Sequence, residues 1–209
     1  MSIPADRILS SGMLLCDYFE QHRLRGANCA VLGTADSVMF VERAGGTIVP
    51  AASEYDALVV ADENGYPFVS TLNTALSSLF RMVEGGRNVR LVLPNPDLIF
   101  PHGDRRFGIA AGSVALVIEA ALRRRYPQRN DLVFDRLGKP QPYLYEKAIA
   151  GLGTRNAVMI GDQLETDIAG ALSCDIHCAL IATGVAVMQN TTAAALIRPT
   201  YWMSSLQAN

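Results

Sequence analysis

The stretch AVMIGDQLETDIAGA, residues 157–171, decides how the rest of the chain is read. An apolar run, 157–160, stops at Gly161. Asp162 follows at once, and Asp167 lies further on, inside an apolar-periodic segment. A short apolar run closing on a glycine predicts a buried strand over 157–162, with a helix over 164–173 after it. In open α/β sheets ligands gather outside the carboxyl ends of the strands, so a carboxylate at that position faces a crevice. Asp167, near the first turn of the helix, suits the positive end of the helix dipole. Two hard oxygen donors at one crevice suit Mg²⁺, which takes carboxylates, waters and phosphate oxygens. A plainer reading makes Asp162 a helix cap and Asp167 a first-turn acid. The spacing alone does not choose between them.

Upstream lies LGKPQPYLYEKA, 137–148. Lys139 precedes Pro140 in a turn before a predicted helix, 141–151. A lysine there can reach over a sheet edge and neutralise a phosphate as a point charge; its plain alternative is a solvated loop residue. A lysine turn, a helix and a strand closing on Gly-Asp form a more specific combination than any one of them.

The same alternation extends to the N-terminal half. Apolar, valine- and isoleucine-rich runs at 29–33, 57–62, 89–95, 131–134 and 177–184 predict strands. Helical patterns fall at 10–24, 34–45, 71–86 and 112–125. Strands alternating with helices predict an α/β protein with mostly parallel strands. In the 112–125 helix, Ser113 is the candidate N-cap and the arginines 123–125 suit the C-terminal dipole. RRRYPQR, 123–129, then reads as a solvated helix end with a proline stop. The proline- and glycine-rich PNPDLIFPHGDRRFG, 94–108, predicts a long irregular loop, a place where function often resides.

Composition bounds the function classes. The chain has 209 residues, half of them hydrophobic, with a net charge of −2. A substantial core is available, and no basic stripe argues for nucleic acid. No apolar run reaches membrane-spanning length. The N-terminus lacks the basic-then-apolar pattern of a signal peptide, which predicts a cytoplasmic protein. Cys16, Cys29, Cys174 and Cys178 sit in apolar contexts, as small buried cysteines do. CDIHC, 174–178, hints at zinc, but on a strand His177 and Cys178 face opposite sides, short of four converging ligands.

These pieces, in order, resemble the haloacid dehalogenase (HAD) superfamily, in particular its NagD-like, class IIA phosphatases. ILSSGMLLCDYF (8–19) resembles the segment after that family's second core motif. LPNPDLIFP (93–101) resembles its cap signature, GKPQPYLYEKA its lysine motif and MIGDQLETDIAGA its acidic motif; LIATGV (180–185) and RPTYWMSSL (198–206) resemble its closing strands. The resemblance implies a Rossmann-like parallel core carrying an α/β C2-type cap. The implied domains are a core remnant and linker helix over 1–25, the cap over 26–128 and the C-terminal part of the core over 129–209. It implies that Lys139 stabilises the phosphoryl group, that Asp162 binds Mg²⁺ and that Asp167 supports the metal site. It places Asn95 and Asp97 in the cap near the substrate entrance, and makes Gly184, grouped with them as substrate-binding, a close-packing turn at the sheet edge. The implied ligand is a small phosphorylated metabolite, a sugar or nucleotide phosphate.

Two family elements are missing from these residues, a Ser or Thr that ends the second core strand, for which Ser10 and Ser11 come too late, and the nucleophile motif. Members carry Asp-x-Asp-Gly, whose first aspartate is the phosphoryl nucleophile. No two of the twelve aspartates here are separated by a single residue. Covalent phosphoryl transfer has no attacking group without it. The expectation is a chain lacking the nucleophile segment and inactive by itself, its open sheet edge covered by a missing segment, a partner or a second copy in a homo-oligomer. The alternative is a non-catalytic binding or interaction protein on the same fold. An unrelated nucleotide-binding α/β domain is disfavoured by the lack of a Gly-x-Gly-x-x-Gly turn or Walker loop.

Overall fold

The computed structural model describes residues 3–103, 106–182 and 197–206. In chain order the elements are α1 (Leu14–Gln21), β1 (Asn28–Leu32), α2 (Ala35–Arg43), β2 (Thr47–Ile48), β3 (Ala57–Val60), α3 (Phe68–Glu84) and β4 (Arg90–Leu93). Then come β5 (Ile99–Pro101), β6 (Phe107–Ile109), α4 (Ala111–Arg125), β7 (Asp135–Arg136), α5 (Pro142–Leu152) and β8 (Val158–Gly161). A π-helical turn (Leu164–Ile168), α6 (Ala169–Ser173), β9 (His177–Ile181) and β10 (Tyr201–Met203) complete the order. The chain divides into two compact units. One comprises Ser10–Leu98 and Ile109–Leu137; the other holds the described residues up to Leu9, Ile99–Gly108, and those from Gly138 onward. The expected domain edge at 128/129 falls just after α4, and the chain leaves the first unit at 137/138.

The first unit is a parallel five-stranded sheet in the order β2-β1-β3-β4-β7, covered on both faces. Successive strand residues point to opposite faces. Ala30, Leu32, Leu58, Val60, Leu91 and Leu93 therefore pack with α3 and α4 through Leu79, Val114 and Ile118. Cys29, Ala57, Val59 and Val92 pack on the other face with Leu15 and Phe19 of α1 and Val41 of α2. Burial on both faces explains why ALVV in β3 is apolar without interruption. The chain steps outward from β1 to β2, then returns past β1 to β3. Direction reverses at that point, so α2 covers one face and α3 the other.

The second unit holds a parallel three-stranded sheet, β10-β9-β8. Met159, Cys178 and Leu180 pack against α5, the π turn and α6 through Tyr145, Ile149, Ile168 and Ala171. Pro142 sits at the start of α5, and Gly153 ends it in the left-handed region at φ 69°. β8 is the sheet's end strand. Val158 and Ile160 on it are 48% and 44% exposed.

The α/β fold with parallel strands is as the sequence predicts, and local details differ. The strand expected over 131–134 does not form there. Leu132 and Phe134 are buried as a strand pattern requires, but the Phe134 N–H donates to Glu119 Oε1 at 2.8 Å. Pairing with β4 starts only at Asp135. The loop expected over 94–108 contains β5 and the start of β6, three-residue strands that include Pro101 and Gly108 and are too short to show a period. Ser113 is not the N-cap of α4. That place belongs to Ala110, and the Ser113 hydroxyl donates to the Leu98 carbonyl at 2.6 Å. The helix expected over 164–173 opens as a π turn, because Asp167 N–H and Ile168 N–H both bond the Gln163 carbonyl, at 3.0 and 3.2 Å.

Candidate functional site

The end of β8 is built around one buried carboxylate. Asp167 is 2% exposed. Its Oδ2 accepts the backbone N–H groups of Asp162 and Gln163 at 3.0 and 3.2 Å. Its Oδ1 accepts from Lys139 Nζ at 2.7 Å, within an ion pair whose lysine side chain is 28% exposed. A buried carboxylate needs such compensation to stay ionised. Lys139 is thereby held by its charge at the carboxyl end of β8, next to the turn that begins with Asp162.

Gly161 is what lets this happen. A Cβ there would lie 2.3 Å from Asp167 Cβ and 2.4 Å from its Oδ2. Only a residue without a side chain lets the carboxylate seat against the strand end. Tyr145, one helical turn into α5, holds the turn from the other side. Its hydroxyl donates to the Thr166 and Asp167 carbonyls, both at 3.0 Å, and its ring lies over Gly170, where a Cβ would meet it at 2.3 Å. The helix that follows the lysine thus clamps the turn that carries the acid. The π geometry of that turn is of the kind often found at functional sites. Tyr145 and Gly161 were not among the residues singled out from sequence. Only their seats against Asp167 and its turn mark them, and no spacing encodes that.

Asn95 and Asp97 lie in the other unit, on the loop after β4. The Asn95 Oδ1 accepts the Asp97 N–H at 3.2 Å, and the Asp97 carbonyl accepts the Gly112 N–H at 3.0 Å. Gly112 is needed there, since a Cβ would meet Pro96 O at 2.2 Å. The loop is thus fastened to the start of α4. Gly184 lies outside the described residues. The CDIHC residues face separate neighbours: Cys174 Sγ the Pro142 carbonyl, Cys178 Sγ the Thr200 hydroxyl and His177 Nδ1 the Tyr201 hydroxyl.

The donor set at β8 fits part of a magnesium shell. Asp167 spends its oxygens on an ammonium and two N–H groups, so it orients the turn. Asp162, partly exposed at the strand end, is the carboxylate that would hold the ion. Among the described residues no three His, Cys, Asp or Glu side chains cluster as a metal set. A six-oxygen shell is completed by water, phosphate oxygens and groups beyond them.

Residues 136–208, which carry the lysine turn, α5, β8 and the acidic turn, match the HAD-hydrolase-like family model. A possible sugar phosphatase of the HAD superfamily from Cytophaga hutchinsonii superposes with a TM-score of 0.77 at 28% identity, over 97% of this chain and 72% of that one. The likeness is thus to proteins of the haloacid dehalogenase superfamily. NagD of E. coli K-12 shares the HAD fold with a TM-score of 0.70 at 22% identity, over 98% of this chain and 73% of that one. The dihydroxyacetone phosphatase of Corynebacterium glutamicum (strain R) is 26% identical over 189 residues, 88% of this chain. The chain spans 61% of that relative's length.

Proposed function

We propose that the chain supplies the lysine and acidic half of a HAD phosphatase acting on a small phosphorylated metabolite. The single observation behind the reading is the Lys139–Asp167 pair seated beside Asp162 at the carboxyl end of a parallel strand. The ammonium of Lys139 offers a fixed positive charge to phosphoryl oxygens. Asp167 holds both that charge and the Asp162 backbone in place. Asp162 is the ligand this chain would give to Mg²⁺, which when bound neutralises charge on the phosphate. Asn95 and Asp97 belong near the substrate entrance. Relatives named as sugar and dihydroxyacetone phosphatases support a sugar or three-carbon phosphate as substrate.

The nucleophile is not among these residues, since no Asp-x-Asp pair occurs in them. In this reading a further parallel strand carrying it pairs with the outer edge of β8, where Val158 and Ile160 are exposed. That strand comes from the same polypeptide or from a second copy in a homo-oligomer. The four free cysteines favour a reducing compartment, the cytoplasm. No helix among the described residues is long and apolar enough to cross a membrane. The missing pair also favours a second reading, a HAD-fold binding protein without catalysis.

The test is Mg²⁺-dependent phosphate release from p-nitrophenyl phosphate, dihydroxyacetone phosphate and a panel of sugar phosphates. It is run on the 209 residues and on the same residues preceded by the Asp-x-Asp-Gly segment of a relative. Turnover is expected only in the second, and is lost in its Lys139→Ala and Asp162→Ala variants. Turnover by the 209 residues alone that vanishes in Asp162→Ala would place a nucleophile within this chain. Silence in both favours the binding protein.

A further inference from the structure

A polar groove runs along the outer side of α3. The helix lines it with Asn73, Thr74, Ser77, Ser78 and Arg81, and Ala52, in the loop that enters β3, closes its far side. These helix positions recur at i, i+1, i+4, i+5 and i+8, a single stripe about 12 Å long. Leu72, Ala75, Leu79 and Met82 of the same helix face the core instead. The groove has a volume of about 410 Å³, within the roughly 300–1,000 Å³ of small-molecule sites.

Arg81 is held in the groove by neutral groups. Its Nη2 donates to the Ala52 carbonyl at 3.1 Å and to the Ser78 hydroxyl at 3.0 Å. Ser78 is 1% exposed, so one anchor of the guanidinium is fixed in the core. The carboxylates nearest in sequence are spent elsewhere, Glu84 on Arg125 and Glu54 on Arg87. Among the described residues no aspartate or glutamate lines the groove. The guanidinium keeps its charge unbalanced. Two of its five N–H groups are used, and three remain to donate.

The hydroxyls beside it are set to accept. Ser77 Oγ donates to the Asn73 carbonyl at 2.7 Å, and Thr74 Oγ1 to the Ser70 carbonyl at 2.9 Å. With both protons turned back onto the helix, the oxygens present lone pairs to the groove. The side-chain amide of Asn73, just over two turns from Arg81, adds a donor and an acceptor.

We propose that this groove binds a small hydroxylated carboxylate, a hydroxy acid or sugar acid. The carboxylate meets the guanidinium, whose planar fork matches its two oxygens. The ligand's hydroxyls donate to Ser77 and Thr74 and reach the Asn73 amide further along. One cation balances one carboxylate. A phosphate dianion would find no second cation and no helix N-terminus in the lining. No aromatic or large apolar side chain lines the groove, so nothing in it receives a nucleobase or an acyl chain. The site shares no residue with Lys139, Asp162 and Asp167 and does not rest on the phosphatase reading.

The test is an NMR titration of the ¹⁵N-labelled full chain with gluconate and glycerate, with propionate, glycerol and inorganic phosphate as comparators. At least one of the hydroxy acids is expected to shift the amides of Ala52 and of residues 73–81 saturably. Propionate, without the hydroxyls, should bind at least threefold more weakly, and glycerol, without the charge, should leave these amides in place. Arg81→Gln should lower the hydroxy acid's affinity about tenfold or more and Ser77→Ala about threefold, as for a charged and a neutral hydrogen bond. Both side chains are exposed, and the unshifted remainder of each spectrum verifies the fold. Failure of both hydroxy acids to shift these amides overturns the proposal. So does undiminished affinity in Arg81→Gln, or binding of propionate, glycerol or phosphate here as tight as that of the hydroxy acid. The ligand series on the unaltered chain decides the matter even if a variant does not fold.

Discussion

At the scale of single residues, the site depends on an asymmetry of burial between Lys139 and Asp167. The carboxylate is sealed in, while the ammonium keeps a path to water. Removing the lysine strands a buried charge; removing the acid frees a cation that can turn outward. Lys139→Met is therefore expected to cost about 2–3 kcal/mol and Asp167→Asn about half of that. The double variant should cost clearly less than the sum, as urea unfolding of all four proteins would reveal. Equal single costs that simply add would refute the pairing. Gly161→Ala forces a Cβ into Asp167, and overpacking of this kind costs about 2 kcal/mol; an unchanged urea midpoint would contradict it. Tyr66 gives a pH prediction. Burial, then the Asp62 and Glu63 carboxylates, push its hydroxyl up to about 12. A folded pKa above the unfolded value means stability fully present below about pH 10 and lost as pH rises through 12. Ultraviolet titration should show one tyrosine ionising near 12, and Tyr66→Phe should lose less stability over that alkaline range.

At the scale of elements, the turn after β8 is held from outside itself. α5 begins just after Lys139, and its Tyr145 grips the turn that holds the lysine's partner. The two contacts of Tyr145 separate by substitution. Tyr145→Phe loses only the hydroxyl's bonds, about 1 kcal/mol. Gly170→Ala drives a methyl into the ring and is expected to cost more. Urea unfolding gives the order, and a reversed order would show that the hydroxyl, not the close approach, holds the turn. The loop bearing Asn95 and Asp97 follows the same logic against α4, where the missing Cβ of Gly112 admits backbone carbonyls.

At the scale of the whole molecule, the two units differ in how completely their sheets are covered. β3 lies inside a five-stranded sheet, with all four residues 0% exposed. β8 lies at the end of a three-stranded one, with exposed valine and isoleucine. Local opening follows coverage. Hydrogen exchange should therefore be slowest over Ala57–Val60 and faster over Val158–Gly161, and the opposite order would mean that the edge of β8 is covered in solution. If a further strand pairs there, as the proposed function requires, adding the Asp-x-Asp-Gly segment should slow exchange over β8 and leave β3 unchanged.

The sequence by itself determined the α/β class, most strands and helices, and the identity of Lys139, Asp162 and Asp167 as a group. Strand and helix periods are local, and a strand ending in Gly-Asp beside a lysine turn can be recognised without knowing where anything packs. Only the tertiary structure decided what Asp167 does. Its oxygens are taken by an ammonium 28 residues away in sequence and by two N–H groups of its own turn, and that division depends on how α5 and β8 meet. The same holds for Phe134, whose strand-like pattern lost its N–H to Glu119 on α4, and for β5 and β6, each too short to carry a period. It holds most for the chain reversal between β1 and β3. Strand order is a property of pairing, and pairing is settled by contacts between residues far apart along the chain.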